Sequence, residues 1–203
     1  MRIKITARQA RALGIAAGPA RPQGRPASRN RDRRTASRKA RGQPPDRLLS
    51  LDPSSTAVGW ASFRAGVLAE VGLIRSACED PRDRIRKLAA SVKALVVRLA
   101  PEVVVIETVS GLHHRAQKLA VSTCSFAQGA IWQAIEDTVE ASLPSVICVK
   151  EIDWTAGRPK SARARLVYLG EPIYRQFAGG SGDRGFDVAD AVGLGRWYLG
   201  QIH

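Results

Sequence analysis

The run Glu102-Val-Val-Val-Ile-Glu107 restricts this chain more than any other stretch of it. Four β-branched residues in succession leave a strand no polar face to turn towards water, so it must be covered on both sides by helices. The run ends on a carboxylate, Glu107. A second apolar run, RLLSL up to Leu51, ends the same way on Asp52. A lone buried carboxylate is costly, so an acid placed directly after a core strand calls for a compensating charge.

The residues around these two runs set the architecture. TAVGWASF and GVLAEVGLI predict two further strands, with Gly66 in the bend of FRAG between them, which makes an antiparallel meander with the Leu48 strand. From Asp83 the period becomes helical. Ile85, Leu88, Ala89, Val92, Leu95, Val96 and Leu99 fall on one face, and the helix stops near Pro101. After Glu107 the pattern predicts a helix from about Arg115 to Ala141, then SVICVKEI as a fifth strand. PKSARARLVYL predicts a shorter helix and GFDVADAVGLGRWYL a last one. The order βββαβαβα plus a terminal helix predicts an α/β fold, a mixed five-stranded sheet flanked by helices, without internal repeats. Trp60 and Trp132 fit core positions, Trp154 and Trp197 are left unassigned, and Asp153 fits a turn.

Charge divides the chain unevenly. Of the net +14 over 203 residues, residues 1–47 carry 14 Lys/Arg against Asp32 and Asp46, and the remaining 156 residues carry 18 against 16. The N-terminal part is rich in Arg, Pro, Gly and Ser and has no apolar period, so it cannot bury enough surface to offset its ordering entropy. We therefore divide the chain into a disordered Arg-rich arm, residues 1–46, and a folded domain, residues 47–203. A short helix in TARQARALG, capped by Thr6 and ended by Gly14, is the one element expected in the arm. Three readings of the arm stay open. It is a polyanion-binding segment whose Arg side chains meet phosphates, a solubilising tail, or a mitochondrial transit peptide. No apolar stretch is long enough to span a membrane. Cys78, Cys124 and Cys148 are odd in number and lack C-x-x-C spacing, so they are expected to fill core positions in a reducing compartment.

The terminal helix adds two acids. Asp187 and Asp190, at i and i+3 in DVAD, share one helical face. Asp187 alone would equally suit a helix start. Strands that run parallel can end side by side, so Asp52 and Glu107 can meet these two at one sheet edge. Converging carboxylates stay ionised only when cations neutralise them. Hard oxygen donors suit Mg²⁺ or Mn²⁺, and two such ions can activate water and stabilise a leaving oxygen in phosphodiester hydrolysis. His113, His114, Arg115 and Lys118 open the helix after Glu107, near enough to meet a phosphate, although solvated first-turn residues would look the same.

In these features the chain resembles the RuvC-type Holliday-junction resolvases of the ribonuclease H-like superfamily, over roughly Leu48 to Leu199. The resemblance matches Asp52 to the acid of the family's DPG motif and Glu107 to that of its IE motif. Asp187 and Asp190 match its closing D-x-x-D-A, here DVADA. It matches Lys160 to a basic residue that opens the helix after the fifth strand and contacts DNA near the scissile phosphate. The candidate DNA-binding residues are thus Lys160, Arg158, Arg115 and Lys118. The resemblance implies a ribonuclease H-like fold and a homodimeric endodeoxyribonuclease that resolves four-way junctions by paired symmetric nicks. Leu119, Phe126, Ile131 and Ile135, in the helix after Glu107, are the apolar set expected at its dimer face. The resemblance further implies Asp52, Glu107, Asp187 and Asp190 as both catalytic and metal-binding residues, with two Mg²⁺ per site, replaceable by Mn²⁺. The products would be 5′-phosphate and 3′-hydroxyl ends.

Two positions depart from the family pattern: Ser54 stands where DPG has its glycine, and Ser110 where members often carry an aromatic wedge. The Ala, Arg and Gly content is compatible with a GC-rich bacterial or phage genome, which leaves a chromosomal and a bacteriophage or prophage origin both open, and a cytoplasmic location is expected ahead of a mitochondrial one. Rival readings are a ribonuclease H-like nuclease for another branched DNA or a hybrid, and a catalytically inactive nucleic-acid-binding module. LDPSST also resembles the first phosphate loop of the actin and sugar-kinase superfamily, but about 156 residues cannot hold its two domains.

Overall fold

Parallel pairing of the Leu48 and Val103 strands, required if their terminal acids are to meet, is what a computed structural model of the chain contains. The structure describes residues 44–108, 118–138, 144–180, 183 and 186–200. Residues 1–43, including the stretch where a short helix is expected, and Ser110, His113, His114 and Arg115, lie outside the described residues, as do the side chains of Lys118 and Leu119.

Five strands form one sheet: β1 (Arg47–Pro53), β2 (Ala57–Arg64), β3 (Val67–Arg75), β4 (Val103–Thr108) and β5 (Ser145–Lys150). Their order is β3-β2-β1-β4-β5, with β1–β2 and β2–β3 antiparallel and β1–β4 and β4–β5 parallel. The β2–β3 turn is made by Ala65 and Gly66, both with positive φ. Among the described residues six helices accompany the sheet: α1 (Pro81–Leu99), α2 (Lys118–Glu136), α3 (Glu151–Thr155), α4 (Lys160–Gly170), α5 (Pro172–Gly180) and α6 (Asp187–Tyr198).

The strands' period of two divides the core between the two faces of the sheet. Leu49, Leu51, Val104 and Ile106 face α1 and α2, meeting Leu88, Val92, Ile131 and Ile135. Leu48 and Val105 face the other way, against Ala191, Val192 and Leu194 of α6. Asp52 has the parity of Leu48, and Glu107 that of Val105. Both acids therefore belong to the α6 side.

Several sequence expectations shift. α1 starts at Pro81 rather than Asp83, because the Asp80 carboxylate accepts from the Arg82 and Asp83 backbone N–H groups and Pro81 opens the helix. Glu151 and Ile152, expected in the fifth strand, begin α3, which also holds Asp153 as an exposed helical residue rather than a turn residue. Helix α5 is an addition to the expected order, although Pro172 at its first position signals a start. The cysteines are not core residues: Cys78 and Cys124 are half-buried and Cys148 is exposed on β5, the last strand of the sheet. Trp60 packs against the core, whereas Trp132 is 38% exposed on the outer side of α2.

Candidate active site

Leu51 pairs with Ile106 in the parallel β1–β4 ladder, so the next residue of each strand, Asp52 and Glu107, reaches the same edge on the same face. The N-terminus of α6 is laid over that edge. Ser50 anchors it from the sheet, its hydroxyl donating to the Ala191 carbonyl at 2.7 Å. Asp187 and Asp190, in the first turn of α6, thereby come to the two strand-end acids.

An ammonium group lies among them. The Lys160 ammonium, at the start of α4, is 3.5 Å from Asp52 Oδ2, 3.4 Å from Asp187 Oδ1 and 3.2 Å from Asp190 Oδ2. Asp190 is fully buried and also takes a two-pronged bond from Arg163, Nε to Oδ1 at 2.8 Å and Nη2 to Oδ2 at 2.7 Å. Glu107 Oε2 accepts from the Trp154 indole N–H at 2.8 Å. Arg158 is exposed two residues before Lys160, and its carbonyl accepts from Arg163 Nη1.

Even so, the negative charge is under-compensated. Burial first, then repulsion from Glu107, holds the Asp52 carboxyl well above the usual carboxylate range despite Lys160. Burial, then repulsion from Asp190, pushes Glu107 up to about 7 against the relief of the Trp154 hydrogen bond. Burial also raises Asp187. For Lys160, burial opposes the charge but the attraction of Asp52, Asp190 and Asp187 outweighs it, so the ammonium is held above its ordinary range.

The structure thus brings together Asp52, Glu107, Asp187, Asp190 and Lys160. Lys118 and Arg115 cannot be placed against this cluster from the described residues. Trp154 and Arg163, which hold two of the acids, belong to none of the sequence motifs. The one local signal for Trp154 is a large aromatic in the short helix that follows β5, the strand paired with Glu107.

The departure at Ser54 is absorbed by its own side chain. Ser54 Oγ accepts from the Ala57 backbone N–H at 3.0 Å and donates to the Ala57 carbonyl at 3.0 Å, and Ser54 N–H donates to that carbonyl at 2.8 Å. The turn closes without a positive φ at Ser54.

No protein-family model matches the chain, and no curated protein matches it. Solved structures do. The RuvC of Thermus thermophilus in complex with a Holliday junction substrate is similar with a TM-score of 0.54 and 18% identity, over 76% of this chain and 96% of its own. The yeast mitochondrial Holliday junction resolvase Ydc2 is similar with a TM-score of 0.54 and 12% identity, over 79% of this chain and 82% of its own. The chain has a ribonuclease H-like fold. A second Thermus thermophilus RuvC structure agrees, with a TM-score of 0.51 at 19% identity, over 76% of this chain and 97% of its own. At these identities the likeness is one of fold, and it bears out the expected mixed sheet with helices on both faces.

Within this ribonuclease H-like domain the donor set fits a hard divalent ion in kind. Among the described residues no three His, Cys, Asp or Glu side chains are already drawn into a ligating cluster. The acids converge on an ammonium instead. Three carboxylate oxygens within 3.5 Å of one cation show that this edge of the sheet demands positive charge. Lys160 stands at a helix start and is 43% exposed. No described helix is long and apolar enough to cross a membrane.

Proposed function

We propose that this chain is a metal-dependent endodeoxyribonuclease that nicks branched DNA, with the four-way junction as its first substrate. The observation that carries the reading is the meeting of Asp52, Glu107, Asp187 and Asp190 at one edge of a ribonuclease H-like sheet, around a cation. Mg²⁺ or Mn²⁺ held by these acids, two ions to a site, would supply the activation of water and the stabilisation of the leaving oxygen. The chain's own contribution is geometric and electrostatic. Strand ends fix Asp52 and Glu107, and the first turn of α6 fixes Asp187 and Asp190. Lys160 swings on its flexible stem from the acids towards the scissile phosphate, with exposed Arg158 close behind it in sequence. In-line attack of water would leave 5′-phosphate and 3′-hydroxyl ends.

Branched DNA is favoured as substrate because two solved neighbours are named Holliday junction resolvases or carry a junction. Paired nicks on a two-fold junction suit a homodimer with one site per subunit. Of the apolar side chains expected at its interface, Ile131 and Ile135 belong to the core and are spent there. Among the described side chains of that set, Phe126, 71% exposed on α2, is the one left to meet a partner. Light scattering showing a monomer both free and on a junction would exclude the dimer. The arm, as a separate phosphate-binding segment before the domain, and a cytoplasmic location complete the reading.

The deciding experiment is a cleavage assay with Mg²⁺ on four-way junction, flap, duplex and RNA–DNA hybrid substrates, with EDTA controls. Symmetric nicking of the junction above the rest is the expected result. Preference for flap or hybrid would move the substrate within the nuclease class. Binding without cleavage of any substrate would make the domain an inactive nucleic-acid-binding module.

A further inference from the structure

Glu107 and Asp190 come from distant parts of the chain, yet each is gripped from behind by a residue outside the acid cluster. The Trp154 indole N–H takes Glu107 Oε2 at 2.8 Å. The Arg163 fork takes both oxygens of Asp190 at 2.8 and 2.7 Å. The two grips touch, because the Arg163 guanidinium lies 5.1 Å from the centre of the Trp154 ring, within reach of a cation–π attraction. Both side chains are buried, Trp154 at 7% and Arg163 at 6% exposure. The third prong of Arg163, Nη1, donates to the Arg158 carbonyl at 2.6 Å, so the guanidinium is fixed on three sides.

α6 is shaped to this pair. A Cβ on Gly193 would stand 2.9 Å from the Trp154 ring, so the helix that carries Asp190 offers bare backbone where the indole lies. A carboxylate oxygen has two lone pairs, and an in-plane guanidinium fork uses one on each. Asp190 Oδ2 has its second neighbour, Lys160 Nζ, at 3.2 Å, on the side of the acid cluster.

We infer that Trp154 and Arg163 are a linked pair of positioning residues that hold Glu107 and Asp190 in one relative geometry and present Asp190 to a divalent cation through Oδ2. The inference rests on the nuclease reading and adds two residues to it. Outer partners of metal-binding carboxylates orient them, and their loss typically weakens metal binding by about 10- to 100-fold.

The test uses full-length protein and Mn²⁺ as the probe. Mn²⁺ binding without DNA is followed by the electron paramagnetic resonance signal of the free ion, and junction nicking is measured across Mn²⁺ concentrations. Trp154→Phe keeps the ring and removes the N–H. Arg163→Lys keeps the charge and removes the fork. Each is expected to weaken Mn²⁺ binding by about 10- to 100-fold. Half-maximal nicking should move to higher Mn²⁺ by a similar factor, while the rate at saturating Mn²⁺ changes less. The double variant should lose less than the product of the single losses, since the two residues touch. Gly193→Ala, which touches neither acid, should shift binding in the same direction by displacing the indole.

Wild-type Mn²⁺ affinity in folded Trp154→Phe overturns the inference, even if Arg163→Lys does not fold. The nuclease reading survives that result provided that Asp52→Asn lowers the affinity of the same protein. If the wild type binds no Mn²⁺ through Asp52, the nuclease reading itself fails and the inference falls with it.

Discussion

Gly59 and Asp187 meet backbone to backbone. A Cβ on Gly59 would stand 2.1 Å from the Asp187 carbonyl oxygen and 2.7 Å from the Val188 nitrogen. Gly59 is also the partner of Asp52 in the β1–β2 ladder. One bare position in β2 thus lets the start of α6 settle onto the sheet beside the first acid. Gly59→Ala must move backbone rather than a side chain, and overpacking of this kind costs about 1–3 kcal/mol or more. Thermal melting should show that loss, and metal-dependent nicking should fall with it because Asp187 is carried away from Asp52. A Gly59→Ala protein with the wild-type melting temperature would contradict this close approach.

The acid cluster should trade stability for activity. Asp52→Asn and Glu107→Gln keep volume and remove a hard ligand, so nicking should drop by orders of magnitude while junction binding persists or tightens. Asp187→Asn should be milder, since that side chain sits at the rim, 19% exposed. Because burial and mutual repulsion disfavour the charged forms of Asp52 and Glu107, both neutral variants should melt no lower than wild type in EDTA at pH 8. Intact Mg²⁺-dependent cleavage in folded Asp52→Asn and Glu107→Gln proteins would make the acids structural.

Metal-free stability should depend on pH in a direction opposite to that of a salt-bridged acid. Glu107 is raised from 4.5 to about 7 in the folded state, so the fold holds a proton that the unfolded chain releases. Its favourable contribution is complete below the unfolded value and is lost as pH rises through about 7, with a depth on the order of 3 kcal/mol. Denaturant melts in EDTA between pH 5 and 8 should record this decline. Glu107→Gln should flatten it. A flat wild-type profile would mean that the carboxyl is not held protonated.

The arm should act through phosphates. Residues 1–47 hold 14 of the 32 Lys/Arg, so deletion of residues 1–45 should weaken binding to all DNA structures alike. On duplex DNA the slope of log K against log[salt] should flatten by about 0.9 for each phosphate that the arm no longer neutralises. Nicking at saturating protein should survive. An unchanged slope would favour a solubilising or targeting segment.

The strand-end acids were legible because the pattern that reveals them is local. Two apolar runs that each end on a carboxylate mark Asp52 and Glu107 as strand-end acids, and the structure puts both on the face of Leu48 and Val105. Asp187 and Asp190 were legible for the same reason, since i and i+3 share a helical face whatever the helix docks against. Burial at edges was not. Cys148 and Trp132 sit in apolar stretches, but exposure there depends on what covers an edge strand or the outer side of α2, and no local period encodes that cover.

The sequence by itself therefore determined the five strands in their order, the covered strand among them, and the four acids at strand ends and on one helical face. Only the tertiary structure decided that Lys160 would lie among three of those acids. It also decided that Arg163 would take Asp190 across 27 positions and that Trp154 would take Glu107 across 47. Such pairings form when α3, α4 and α6 dock on one face of the sheet, and the positions that allow the docking, Gly59 and Gly193, act through the absence of a side chain. Periodicity records where apolar groups must go. It carries no record of which buried polar groups will find one another once they are there.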